Sequence, residues 1–159
     1  MKCDKRVLGL LNEALRNELT AVNQYWLHYR LLDNLGVKKL AEFERHESID
    51  EMKHADALAE RILFLDGLPN FQALGRLRIG EKVEEILRAD LELELEAVEQ
   101  LKGAIAHCEK VRDFTSRELF AMILTNEEDH VDHLEQQFEL IAAMGLPNYI
   151  QLQSEPAEE

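Results

Sequence analysis

Along most of the chain, apolar residues recur in alternating steps of three and four, the period of a helix with one buried face. Four stretches keep that period with few breakers: roughly 4 to 34, 37 to 65, 82 to 111 and 114 to 144. Each predicts a helix about 45 Å long at 1.5 Å per residue. The short turns "DNLG" (33 to 36) and "VRDF" (111 to 114) fold the four into two antiparallel hairpins. Between the hairpins, "GLPNFQALGRLRIGEK" (67 to 82) holds Gly67, Pro69, Gly75 and Gly80 and reads as a connection. Extended, it spans roughly 50 Å, enough to run the length of a bundle and start the third helix at the far end. The pattern therefore predicts an all-α fold, a four-helix bundle with a long crossover between helices 2 and 3. The tail beyond 148 is expected to add a short C-terminal helix, with "SEPAEE" frayed.

The hairpin is used twice. At an offset of 76, "LNEALRNELTAVNQ" (11 to 24) aligns with "LRADLELELEAVEQ" (87 to 100) at seven of fourteen positions. The same offset carries Glu51 to Glu127, His54 to His130, Asp56 to Asp132 and Leu58 to Leu134. "GLPN" follows the second helix and recurs after the fourth, where Gly suits a C-cap and Pro stops the helix.

Charged residues interrupt these apolar rows in a regular way. The first helix presents Leu11, Leu15, Glu18, Val22, Tyr25, Tyr29 and Leu32, and the third presents Leu87, Leu91, Glu94, Val98, Leu101, Ile105 and Cys108. Each has one Glu in a core-facing row. The second gives Glu47, Glu51, His54 and Leu58, and the fourth Phe120, Ile123, Glu127, His130 and Leu134. Glu18 and Glu94 lie about as far before their turns as Glu51 and Glu127 lie after them, so Glu18, Glu51, His54, Glu94, Glu127 and His130 are expected to meet near mid-bundle. Four ionised carboxylates buried together repel one another and lose hydration unless protons or cations compensate. Two divalent cations would cancel the charge. A Glu from each of two helices plus Glu-x-x-His from each of the other two is the ligand set of di-iron and di-manganese carboxylate bundles. Ligand type alone admits zinc as well. A single Glu-x-x-His such as "EMKH" is expected by chance in a Glu-rich chain; two on core rows, each with a partner Glu 33 residues upstream, form a joint signal.

Composition narrows the classes. A chain of 159 residues suits a single domain, 1–159, and 46% apolar and 31% charged residues with 7 Gly and 3 Pro suit a helical globule. The 18 Lys+Arg against 32 Asp+Glu give a formal charge of −14, which repels phosphate backbones and anionic lipid and attracts cations. Nucleic acid is set aside as a partner on that ground. With no secretory leader pattern and no span-length apolar run, no membrane role and a cytoplasmic location are expected. Cys3 and Cys108 stand far apart with no C-x-x-C, in keeping with a reducing compartment; Cys108 is expected to be packed and Cys3 a free thiol without a role.

The runs "HESIDEMKHAD" (46 to 56), "NEL" around Glu18, "NQYWLH" (23 to 28), "ERILFLDGLPN" (60 to 70) and "NYIQ" near the end resemble the bacterioferritins, and the resemblance covers nearly the whole chain. It implies a ferritin-like bundle that assembles from two-fold dimers into a hollow shell of twenty-four subunits. Such a shell oxidises Fe(II) with O2 or H2O2 and stores the ferric mineral. It further implies a ferroxidase centre of two irons per subunit on Glu18, Glu51, His54, Glu94, Glu127 and His130, with Glu51 and Glu127 bridging, and a ferredoxin-type electron donor for iron release. Tyr25, on the Glu18 row, is either a hydrogen-bond donor or electron source for the centre, or a packed core phenol.

Met52 lies about 100° round the helix from Glu51, away from the core. Taken alone it suits a subunit interface; the resemblance implies that it and its two-fold mate hold one haem b per subunit pair, with Ser48, Ala55 and Ala59 leaving room. Arg45 departs from the aromatic residue common there. By the same resemblance His46 and Asp50 bind iron at the cavity face, Asn34, Asp66, Asp132 and His133 line a pore between subunits, with His133 in place of an aromatic, and Asn148 and Gln151 lie near a four-fold channel. The competing classes are a rubrerythrin-type peroxidase, whose usual four-cysteine iron domain is missing here; a DNA-protecting mini-ferritin, which the acidic balance disfavours; a haem or electron-transfer bundle with a vestigial acidic cluster; and a purely structural bundle.

Overall fold

The computed structural model describes residues 1–156. Helices α1 (Lys5–Leu35), α2 (Lys38–Phe64), α3 (Val83–Val111) and α4 (Phe114–Met144) coincide with the four periodic stretches to within about a residue. The short helix α5 (Leu146–Gln153) starts three residues before the expected position, because Pro147 pre-sets the backbone for its first turn. Of the tail expected to fray, residues 157–159 lie outside the described residues. No helix among the described residues is long and apolar enough to cross a membrane.

Local chemistry sets the helix ends. The Asp4 carboxylate accepts the Arg6 and Val7 amides (2.9 and 3.1 Å) and so caps α1, which ends at Gly36 in a left-handed conformation (φ 83°) with the Val37 amide returned to Leu32 O. The two "GLPN" copies behave differently. Gly145 ends α4 with φ 81°, as the sequence suggests, but after α2 the left-handed residue is Asp66 (φ 59°) and the Gly67 amide bonds to Ile62 O. Gly67 is small for another reason: a Cβ there would stand 2.8 Å from Leu8 Cδ2. At the second turn Asp113 caps α4 through the Ser116 amide, and Arg61 of α2 donates to both Asp113 and the Ser116 hydroxyl, clamping that turn to the first hairpin.

The crossover is held by one polar stripe of α1. Asn12, Thr20, Gln24 and His28 fall on the same face at multiples of four residues, and they accept the backbone amides of Asn70, Gly75, Arg78 and Gly80 in that order (2.8, 2.8, 3.0 and 3.0 Å). A segment with no regular structure thus has four of its amides satisfied along the bundle. Gly80 sits where a Cβ would come within 2.3 Å of the Ile86 amide nitrogen, so the chain can turn into α3 there only without a side chain. Gly80→Ala is expected to cost about 1–3 kcal/mol as overpacking, read as a lowered thermal midpoint; an unchanged midpoint would show that this corner yields freely.

Apolar packing is split in two. One cluster joins Leu11 and Leu15 of α1, Leu58 and Ile62 of α2, Leu101 and Cys108 of α3, and Phe120 and Ile123 of α4. The other, at the opposite end, joins Leu32, Leu40, Ile86, Leu87, Leu134 and Ile141 to Tyr149 of α5, whose hydroxyl donates to Gln137. Between these clusters the bundle has a polar waist, and the apolar ends offset the cost of burying it.

Candidate metal centre

The waist is built from the carboxylate and imidazole rows of all four long helices. Glu18, Glu51, His54, Glu94, Glu127 and His130 are all buried, none more than 8% exposed. They form two groups, Glu18–Glu51–His54–Glu127 and Glu51–Glu94–Glu127–His130, in each of which one ligand-capable atom per residue lies within 4.8 Å of the others. His54 Nδ1 stands 3.4 Å from Glu18, 3.2 Å from Glu51 Oε2 and 3.0 Å from Glu127 Oε1. His130 Nδ1 stands 3.0 Å from Glu51 Oε1, 3.5 Å from Glu94 and 3.4 Å from Glu127 Oε2. Glu51 and Glu127 therefore turn one oxygen to each group, whereas Glu18 and Glu94 each serve one.

Without cations the cluster is balanced by protons. Burial, reinforced by neighbouring carboxylates, pushes Glu18 and Glu94 well above the usual carboxylate range and Glu51 to about 7. Burial would raise Glu127 too, but hydrogen bonds from Glu94, His130 and His54 hold it well below its usual range. For the histidines burial acts downward and is outweighed by the carboxylates: His54 is pushed up to about 12, chiefly by Glu127, Glu18 and Glu51, and His130 is raised strongly by Glu127 and Glu47. Close as these charged neighbours are, Glu18 Oε2, Glu51 Oε1, Glu94 Oε2, both Glu127 oxygens and His130 Nδ1 lack a well-directed hydrogen bond. Orphaned lone pairs converging in a buried space suit cations, and six carboxylate oxygens or imidazole nitrogens suit divalent iron, manganese or zinc.

A cleft of about 450 Å³ leads to this cluster between α2 and α4, lined by Asp50, Lys53, His54, Met122, Asn126, Asp129 and His130. Tyr25, fully buried, donates its hydroxyl to Glu94 Oε1 at 2.6 Å, and its own ionisation is pushed well up by burial and by Glu94. The other sequence-derived positions stand apart. Met52 is on the outer face, 45% exposed, but Ser48 and Ala55 are buried against the bundle, Ser48 donating to Val22 O, so Ala59 alone of the three small neighbours is partly open. His46 is exposed and paired with Glu42, while Asp50 pairs with Lys53 and approaches His130. Arg45 also pairs with Glu42. His133 stacks on Phe43 with centroids 3.9 Å apart, and Asn34, Asp66 and Asp132 are exposed with no contact joining them within one chain. Asn148 and Gln151 are exposed on α5.

Three further features lie beyond the six expected ligands, although Glu47 already stood on the row of Glu51 and His54. Glu47 Oε2 lies 2.6 Å from His130 Nε2, and Asn126 is hydrogen-bonded to His54 Nε2 at 3.1 Å. A second buried cluster, one turn further along, joins His28, Asp90 and Glu44. Because the Gly80 amide donates to His28 Nε2, the ring proton is on Nδ1, which donates to Asp90 Oδ1 at 2.8 Å beside Gln24 Nε2 at 3.0 Å. A protonated Nδ1 is no metal ligand. Burial, and then Asp90, raises Glu44 well above the usual carboxylate range. The available signal was spacing: Glu44–Glu47–Glu51 and Asp90–Glu94 continue the ligand rows by one turn.

A family model described as a ferritin-like domain matches residues 8–144. The chain is 49% identical to a bacterioferritin of Brucella melitensis over 159 residues, covering 100% of this chain and 99% of that protein. It is 50% identical to one of Mycolicibacterium paratuberculosis over 149 residues, 94% of each. A bacterioferritin of Streptomyces coelicolor is 48% identical over 150 residues, 94% of this chain and 90% of that one.

Proposed function

Since the chain belongs to the ferritin-like family, and within it to the bacterioferritins, we propose that it stores iron and that the buried waist is a ferroxidase centre taking two Fe(II) as substrate. The observation that carries this reading is the division of oxygens: Glu51 and Glu127 each face both histidines, Glu18 and Glu94 one each. Such an arrangement holds two cations side by side, sharing two carboxylates. Paired iron supplies one electron from each ion, so that two Fe(II), one H2O2 and two protons become two Fe(III) and two waters, or O2 is reduced to H2O2. The protein's part is to hold both ions in register, to neutralise them with four carboxylates, and to accept a change of charge without moving. Tyr25 keeps Glu94 oriented through its hydroxyl. The cleft past His54, Asn126 and His130 gives ions a way in, and the acidic surface concentrates them.

Assembly is part of the proposal. Trp26, Leu27, Leu63, Phe64, Leu68 and Phe71 are large apolar side chains left exposed on one chain. Packing them between subunits would cover them, and this favours a homo-oligomeric shell, which we take to be the twenty-four-subunit form, working in the cytoplasm. Met52 supports haem b at a two-fold interface because it presents its thioether outward. Storage is tested by adding Fe(II) in air to the metal-free protein and measuring iron that co-elutes with it on size exclusion. Iron far above two ions per chain is expected; retention limited to two would leave a di-iron protein that stores nothing.

Cation binding should also be steeply pH-dependent. Glu18, Glu94, His54 and His130 all hold their protons more firmly in the metal-free fold, so binding divalent cations there displaces protons. Affinity therefore falls as pH falls. Adding Zn(II) in a weakly buffered solution with a pH indicator should release protons as the ions bind; release of none would mean the ions bind elsewhere.

A further inference from the structure

The two halves of the centre are related by the 76-residue repeat, but the residues behind the two histidines are not. The shift that takes Glu18 to Glu94, Glu51 to Glu127 and His54 to His130 takes Asp50 to Asn126 and Glu47 to Ile123. In the fold those pairs occupy matching places. Asn126 of α4 meets His54 of α2, and Asp50 of α2 comes close to His130 of α4. Glu47 adds a carboxylate oxygen 2.6 Å from His130 Nε2, whereas its counterpart Ile123 is a fully buried member of the apolar cluster. Behind His130 there are thus two carboxylates, partly offset by Lys53, which lies 3.5 Å from Asp50; behind His54 there is one neutral amide.

We propose that the two cation positions are inequivalent, the Glu94–His130 position binding a divalent ion more tightly than the Glu18–His54 position, with Glu47 and Asn126 as the positioning residues that set the difference. The inference rests on the paired-site reading above. Both histidines turn Nδ1 to the carboxylate cluster, so in the loaded site Nδ1 faces the ion and Nε2 carries the ring proton. A carboxylate beside that proton makes the imidazole a stronger donor and fixes its plane, and its negative charge also attracts the ion directly. An amide fixes the plane but adds no charge: Asn126 stands with Nδ2 3.1 Å from His54 Nε2, and once Nε2 carries the ring proton the amide turns its oxygen to it. Such partners change metal affinity by about 10–100-fold, which makes one position retentive and the other exchangeable.

The test uses the assembled, metal-free protein and Co(II) alone. Calorimetric titration should resolve two steps per chain, the first at least about tenfold tighter. A crystal given one Co(II) per chain should show anomalous density between Glu94 and His130. Asn126→Asp should strengthen the second step about tenfold and leave the first, while Glu47→Gln should weaken the first about tenfold and leave the second; both narrow the gap from opposite sides, which a general loosening of the fold would not do. Two equal steps, or density first at Glu18–His54, would overturn the inequivalence while the paired centre stood. No uptake of Co(II) at the waist would remove the centre and the inference together.

Discussion

Glu18→Ala and His130→Ala are each expected to lower the initial rate of Fe(II) oxidation by on the order of a hundredfold or more, with the protein still assembled on size exclusion. Each residue faces only one of the two groups, so its loss leaves the other cation position and both shared carboxylates in place. What is lost is simultaneous occupancy, and a lone Fe(II) supplies only one electron. The two variants should separate in stability. In the metal-free fold Glu18 is a buried carboxyl with an orphaned oxygen, so replacing it with a methyl is expected to leave the thermal midpoint unchanged or raise it. His130 compensates Glu127, Glu51 and Glu47, and its removal should lower the midpoint. A variant with an undiminished initial rate would take that residue out of the centre.

Met52→Leu is expected to abolish haem binding while leaving Fe(II) oxidation intact. The side chain projects from the outer face of α2, one residue along from the inward Glu51, so substitution there touches neither the ligand cluster nor the apolar cores. Leucine matches the volume but has no sulfur to hold haem iron. The check is the absorbance of protein reconstituted with haem b, read beside the oxidation rate of the same sample. A retained haem spectrum would assign the ligand elsewhere.

Much of this architecture can be read from apolar spacing because the helices are long, nearly free of Gly and Pro, and amphipathic along their whole length. The rows of candidate ligands were legible for a related reason: a Glu in an otherwise apolar row has few explanations, and a repeat that carries Glu and His to the same rows removes most of them. Glu47 already stood on the row of Glu51 and His54, but Glu44, Asp90, Gln24 and His28 stayed hidden because polar residues abound on these helices, and only the packed bundle shows which of them face inward. His28 and Gln24 are part of a stripe whose partners are backbone amides of an irregular segment, and no pattern in residues 67 to 82 announces which amides those are. The cap after α2 differs from expectation for a local reason. Asp66 takes the left-handed conformation, and Gly67 is needed for its lack of a Cβ against Leu8. The positions expected to line pores or channels, Asn34, Asp132, Asn148 and Gln151, are exposed on the single chain.

The central claim is that the waist is a paired iron site, and an anaerobic Fe(II) titration of the metal-free protein, followed by stopped-flow mixing with O2, tests it most directly. The account predicts a fast oxidation phase whose amplitude grows with added iron and saturates at two Fe(II) per chain. Oxidation no faster than in buffer, with no break at that ratio, would contradict it and leave the buried carboxylates and histidines as a structural, proton-filled core.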